Sequence, residues 1–160
     1  MNFGYKAFDL TVFVNGSQGN DVFNYVRYFA DFNTFQGNRS KRALYEAWQP
    51  TNKGGTTPIM DANDQISSRP STYFIEDGSY LRIKNVQLTY NVPKSIGKKI
   101  GLDNAQIYIQ AQNLATFTKY TGLNPEITIG TNDNRNNTIG FDGGNMPVSR
   151  TILFGLNLGF

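Results

Sequence analysis

Four stretches of this chain alternate between apolar and polar residues, and that period of two constrains the fold more than any other feature. A strand sends successive side chains to opposite faces, so each stretch reads as a β-strand with one apolar and one polar face. From 6 to 16, Phe8, Leu10, Val12 and Val14 oppose Ala7, Asp9, Thr11 and Asn15, with Phe13 the one large apolar residue on the second face. From 79 to 92, Val86, Leu88, Tyr90 and Val92 oppose Asn85, Gln87, Thr89 and Asn91. The first half of that run is out of phase: Leu81 and Ile83 take the opposite parity, while Arg82 and Lys84 share the parity of Val86. A bulge near Lys84 and Asn85 would explain the switch, and so would a strand that rises beyond a membrane there. From 104 to 116, Ala105, Ile107, Ile109 and Ala111 oppose Gln106, Tyr108, Gln110 and Gln112. From 151 to 160, Ile152, Phe154, Leu156, Leu158 and Phe160 oppose Gly155, Asn157 and Gly159, with Leu153 the exception.

Each run is about the 9–11 residues that a tilted strand needs to cross a bilayer. The polar faces carry Gln, Asn, Asp and Thr, which suit a wet barrel interior. A soluble β-sandwich would alternate too, with more Lys and Glu outside and shorter connections; a soluble β-sandwich carbohydrate-binding module is the alternative reading. Mean hydropathy, −0.43, does not separate the two, because only alternate residues of a membrane strand face lipid. No apolar run is long enough for a membrane helix. Lys6 is followed by alternating residues, so nothing at Met1 reads as a signal peptide.

The connections are long (17–78), short and basic (93–103, with Lys94, Lys98 and Lys99), and long again (117–150). In a membrane barrel they read as extracellular loops at 17–78 and 117–150 and a periplasmic turn at 93–103, which puts Met1 and Phe160 on the periplasmic side. Basic residues on the lipid faces would be Lys6, Arg82 and Lys84, near strand ends where a charge costs little. Tyr5, Tyr80, Tyr90, Phe117 and Tyr120 fall near strand ends, as interfacial aromatics do. Within the first long loop, Val22, Val26, Phe29 and Ala30 have helical spacing. Ser40 can cap a short helix running through Leu44 to Trp48 and stopped by Pro50. The stretch 51–69 reads as exposed loop.

With neither Cys nor His, the chain offers no thiolate, no Ser-His pair and no imidazole metal ligand. A net charge of +3, densest at Arg39, Lys41 and Arg42, does not point to nucleic acid. Glu46, Glu76 and Glu126 have no spacing that forces two together. A secreted hydrolase working through Glu76 and Glu126 would be the enzymatic reading, and a non-enzyme is expected. Asp61, Asn63 and Asp64, and the Asn132–Asn137 run with Asp133, have oxygen-rich composition without EF-hand spacing, so no metal or other cofactor is expected. Trp48, Tyr73, Phe74 and Tyr120 could stack on a substrate at the outer mouth; loop packing is the plainer use of such rings.

The most specific motifs follow one another in order. Gly78-Ser79-Tyr80-Leu81-Arg82-Ile83-Lys84-Asn85-Val86, continuing through Leu88, Tyr90 and Pro93, resembles the "GSYLRLKNVxLxYxxP" block of SusC-like, TonB-dependent outer-membrane transporters. Gln112-Asn113-Leu114 with Thr118-Lys119-Tyr120-Thr121-Gly122-Leu123-Asn124-Pro125-Glu126 is similar to that family's "QNLxTxTKYxGxDPE" block. Gly140-Phe141-Asp142, Met146-Pro147, Arg150-Thr151 and Phe154-Gly155-Leu156-Asn157-Leu158 continue in the family's order, and Tyr5-Lys6, Phe8, Leu10, Gly16 and Gly19-Asn20-Asp21 are similar upstream. Asn124, Phe141 and Met146 depart from the usual acidic residue, Ile and Tyr.

The resemblance implies an all-β fold: the last antiparallel strands of a large transmembrane β-barrel with long extracellular loops, in the bacterial outer membrane. Four strands cannot close, since their edges would leave unpaired backbone groups in lipid, so the chain is expected to be a C-terminal fragment of such a barrel. The implied function is a share in the active import of oligomeric nutrients, glycan or peptide. The implied partners are the rest of the barrel and plug, a SusD-like surface lipoprotein, the TonB complex and the barrel-assembly machinery. Phe160, with Leu158, Leu156, Phe154 and Ile152 in phase behind it, resembles the terminal assembly signal of outer-membrane barrels.

Overall fold

The structure, a computed structural model, describes residues 1–32, 37–61, 63–127 and 140–160. The Asn132–Asn137 run with Asp133 lies outside the described residues. In chain order the elements are β1 (Asn2–Tyr5), β2 (Phe8–Ser17), β3 (Asp21–Asn24), α1 (Val26–Ala30), α2 (Lys41–Tyr45), a 3₁₀ turn (Thr72–Phe74), β4 (Ile75–Asp77), β5 (Tyr80–Asn91), α3 (Lys94–Gly97), a second 3₁₀ turn (Lys98–Ile100), β6 (Asn104–Thr118), β7 (Phe141–Asp142) and β8 (Thr151–Gly159). They group into two units.

The first unit, Met1–Gln18 with Tyr80–Thr118 and Pro147–Phe160, is one antiparallel meander in the order β1-β2-β5-β6-β8. All five strands lie in one sheet with two free edges. The alternation expected at 6–16, 79–92, 104–116 and 151–160 corresponds to β2, β5, β6 and β8. β1 is additional. Lys6 and Ala7 make a two-residue hairpin turn, with Lys6 at φ 55°, and Tyr5 pairs with Phe8. Met1 consequently lies beside Val12, its amino group donating to the Val12 carbonyl at 2.8 Å, and not at the turn end expected for it.

Register aligns the apolar residues in rows across the sheet. Phe8, Tyr90, Ile107 and Leu156 form one row; Phe3, Leu10, Leu88, Ile109 and Phe154 the next; Val12, Val86, Ala111 and Ile152 a third. Most of these side chains are exposed, Ile109 at 41%, Leu156 at 65% and Phe154 at 79%, while Leu10, Val12, Val86, Tyr90 and Ala111 are half-buried between them. The opposite face holds a hydrogen-bonded polar ladder. Asn91 Nδ2 donates to Asp9 Oδ2 at 2.5 Å, Gln106 Nε2 to Asn91 Oδ1 at 2.7 Å, and Gln110 Nε2 to Asn85 Oδ1 at 2.8 Å. Tyr108 covers Gly155 there so closely that a Cβ on the glycine would lie 2.1 Å from the ring. An apolar exterior over a polar, internally bonded face is the inverse of a water-soluble sheet and the arrangement of a membrane barrel wall.

The phase switch in β5 is a bulge. Ile83 pairs with Val14 and Asn85 with Phe13, so Lys84 is an extra residue opposite β2; against that one residue of β5, β6 carries two, Asn113 and Leu114, with Asn113 at φ 51°. Beyond the bulge Ile83 and Leu81 rejoin the apolar rows with Ala115 and Phe117. This corrects the expectation for Arg82: it lies on the polar face, 2% exposed, with Nε donating to Thr116 Oγ1 at 2.8 Å and its guanidinium 5.7 Å from the Tyr80 ring. Tyr80 also belongs to the polar face, accepting from Asn15 Nδ2 at 3.2 Å.

Both long connections leave and rejoin the sheet at one end, where Ser17 pairs with Tyr80 and Tyr80 with Thr118. The short connections, Lys6–Ala7 and 92–103, lie at the other end.

Candidate functional site

The second unit, Gly19–Ser79 with Lys119–Met146, is built from the two long connections. Its strands are too short to show a period: β3 pairs antiparallel with β4 and parallel with β7. Apolar burial is thin, with Val22, Phe32, Ala43, Ala47, Phe74 and Tyr120 at 9% exposure or less. Buried carboxylates, each met by several donors, do the organising that a large apolar core would do elsewhere.

Glu76 of β4 pairs with Arg27 Nε at 2.8 Å and accepts from Asn24 Nδ2 at 2.8 Å, from the Thr121 amide at 2.9 Å and from the Thr121 hydroxyl at 2.8 Å. Both oxygens are thereby engaged, and the carboxylate that an enzymatic reading would use is a structural tie. Asp142, fully buried, accepts from Tyr120 Oη at 2.5 Å and from the amides of Gly144 and Asn145 at 2.9 and 3.0 Å. Asp31 accepts from Arg42 at 3.0 Å, from Tyr73 Oη at 2.8 Å and from Ser40 Oγ. Ser40 caps α2 as its position suggests, accepting from the Ala43 amide at 3.0 Å, although the helix stops at Tyr45, short of Trp48. Burial, then the hydrogen bond to the neighbouring carboxylate, pushes the phenols of Tyr73 and Tyr120 well above the ordinary tyrosine range.

Aromatic rings cluster on one side of β3. Phe23 stacks on Phe141 (5.7 Å, 8°), and Tyr25 stacks on Tyr28 (5.1 Å, 16°). Next to them opens a cavity of about 350 Å³ lined by Phe23, Tyr25, Tyr28, Ser68, Arg69, Pro70 and Phe74. Its size and mostly apolar lining with a few polar groups suit a small ligand or one residue of an oligomer. Ring faces can cover an apolar surface, while the Ser68 hydroxyl and Arg69 guanidinium can meet hydroxyls or a carboxylate. Among the described residues, Arg69 has no ion pair.

Of the four rings that composition suggested as contacts, Phe74 alone lines this cavity, and it is 1% exposed. Tyr120 is 6% exposed, its hydroxyl donating to Asp142, so its ring is not presented to solvent. Tyr73 is half-buried beside Asp31, Arg27 and Phe32. Trp48, 44% exposed, stands apart from the cavity, its amide bonded to the Thr57 carbonyl. Phe23, Tyr25 and Tyr28 carried a signal that alternation alone missed: i, i+2 and i+5 aromatics across a strand-to-helix junction. In the first unit, Ile152, Phe154, Leu156 and Leu158 form the exposed apolar face of β8, and Phe160 follows it at 90% exposure.

No family model matches the chain. It is 36% identical over 159 residues to TonB-dependent receptor P3 of Formosa agariphila, matching 98% of this chain and 15% of that protein. It is 29% identical over 160 residues to TonB-dependent receptor SusC of Bacteroides thetaiotaomicron, 98% of this chain and 14% of that one. Among solved structures, one chain of the RagAB peptide transporter superposes with a TM-score of 0.77 at 28% identity, covering 98% of this chain and 16% of its own. The chain therefore spans about one-sixth or less of the length of these relatives.

Proposed function

Because the chain belongs to the SusC-like TonB-dependent receptors of the bacterial outer membrane and forms a segment of their β-barrel, we propose that it serves an active importer of oligomeric nutrients as barrel wall and as extracellular loop structure. The observation that carries this reading is the mostly exposed set of apolar rows running from Phe8–Tyr90–Ile107–Leu156 to Leu81–Phe117, backed by a bonded polar face. The first-unit sheet meets lipid outside and water inside. Its free edges continue into the rest of the barrel, which encloses the plug. The end carrying both long connections is extracellular, so the second unit faces the medium and a SusD-like surface lipoprotein. TonB supplies the energy through parts outside this chain. Phe160 and the in-phase residues of β8 direct insertion by the barrel-assembly machinery.

The cargo is an oligomer, glycan or peptide. Similarity to the RagAB peptide transporter supports peptide, and the resemblance of the sequence blocks to SusC-like transporters keeps glycan in the same proposal. The cavity beside Phe23, Tyr25 and Arg69 supplies a contact for one of its residues. The test is uptake of labelled oligosaccharides and oligopeptides by cells that carry or lack the whole transporter. Deletion is expected to abolish uptake of one pool, and the double variant Tyr25→Ala/Arg69→Ala to weaken it. Uptake of both pools unchanged by deletion would refute the import role.

A further inference from the structure

The end of the first-unit sheet that carries the short connections combines aromatics and unpaired cations at the margin of its apolar face. The last full row there is Phe8–Tyr90–Ile107–Leu156, with Tyr5 paired to Phe8 and the Phe8 and Tyr90 rings 4.9 Å apart. Immediately beyond it lie Lys6 in the hairpin turn and Lys94, Lys98 and Lys99 in the 92–103 connection, all exposed. The two turns are joined: the Asn91 amide donates to the Ala7 carbonyl at 2.7 Å. Among the described residues none of the four lysines has an ion pair, and Lys6 lies 5.4 Å from the Tyr5 ring centroid. The carboxylates at this end are fewer than the lysines: Asp9 is on the polar face bonded to Asn91, Asp103 lies in the connection, and the terminal carboxylate of Phe160 follows Gly159, whose carbonyl accepts from the Asp103 amide. Between the lysines in sequence, Ile96 of α3 is 51% exposed.

We infer that this margin is a headgroup site for anionic glycerophospholipids, in which Lys6, Lys94, Lys98 and Lys99 meet the lipid phosphates while Ile96 and the Tyr5–Phe8–Tyr90 aromatics lie against the acyl chains. Aromatic rings and snorkelling lysines are the side chains that hold the headgroup level of a bilayer. A net positive margin selects anionic over zwitterionic headgroups, by about fivefold per lysine near a charged surface. The inference rests on the orientation proposed above, which turns this end to the periplasmic leaflet.

The experiment uses the whole transporter, reconstituted with phosphatidylethanolamine and a minority of phosphatidylglycerol, with bound lipids identified by mass spectrometry after detergent extraction. Wild type is expected to retain phosphatidylglycerol preferentially, and Lys98→Gln/Lys99→Gln to lose that preference by about 25-fold. Lys41→Gln/Lys53→Gln, an equal loss of charge in the second unit, is expected to leave it unchanged. A Ser95→Cys variant is labelled in parallel with an impermeant maleimide. Labelling of intact cells would overturn the orientation and the inference together. Labelling only after outer-membrane rupture, with no phosphatidylglycerol preference or equal loss in both double variants, would overturn the headgroup site alone.

Discussion

Replacing Ile109 with lysine places a charge at the level where the account makes it most costly. The apolar face comprises six levels along β6, at Ala105, Ile107, Ile109, Ala111, Ala115 and Phe117. At two residues per level and about 3.4 Å per residue, these extend roughly 34 Å along the strand. A tilt of about 40° reduces that to about 26 Å, the height of the apolar band of an outer-membrane barrel. Ile109, third of the six, is then within about 3 Å of the midplane, where a lysine facing lipid costs about 2–4 kcal/mol. Such a cost lowers the folding equilibrium constant about 30-fold to 1,000-fold. The neighbouring Gln110→Lys faces the polar side and forfeits chiefly the 2.8 Å bond to Asn85 Oδ1, about 1 kcal/mol. The assay is urea-dependent folding of the full transporter into lipid vesicles, supported by outer-membrane levels in cells. Ile109→Lys should reduce both strongly and Gln110→Lys slightly. If Gln110→Lys costs as much as Ile109→Lys, the faces are assigned wrongly and the reasoning fails.

Three further outcomes follow from particular contacts. Glu76→Gln keeps the shape of the Arg27 site but removes its charge, which should destabilise the second unit by about 3 kcal/mol, read as faster proteolysis of the extracellular loops on intact cells while barrel folding is unchanged. Deleting Lys84 makes Ile83 and Asn85 neighbours, opposite the consecutive Val14 and Phe13 of β2, so Arg82 should keep the polar face and outer-membrane levels should change little, whereas Val86→Arg, which puts a cation in the apolar row of Val12 and Ala111, should lower them strongly. Removing Phe160 from the full transporter should lower its outer-membrane level at unchanged synthesis, and an unchanged level would remove its role in assembly.

What could be read in advance depended on how local the physics was. Alternation exposes β2, β5, β6 and β8 because a period of two repeats over nine or more residues and each strand declares its own faces. The bulge was legible for the same reason, as a change of parity at Lys84. β1 was hidden: four residues are too few for a pattern, and Lys6-Ala7 lacks the Asn-Gly or Asp-Gly signature of a tight hairpin. The second unit was illegible because its ties are remote, Glu76 to Thr121 and Asp31 to Tyr73 being 45 and 42 residues apart. Its cavity draws Ser68, Arg69 and Pro70 from a stretch with no periodicity to set beside the rings of β3 and α1. Tyr120, read from its place at a strand end as interfacial, is 6% exposed with its hydroxyl donating to Asp142, a partner nothing in the local sequence marks.

This chain is one segment of a large outer-membrane barrel. The most direct measurement is the mass of the polypeptide that carries it, detected in the outer-membrane fraction by an antibody raised against residues 140–146. The account predicts a species of which the 17.9 kDa chain makes up about 15%, the proportion found in TonB-dependent receptor P3. A 17.9 kDa species in the soluble fraction would contradict it.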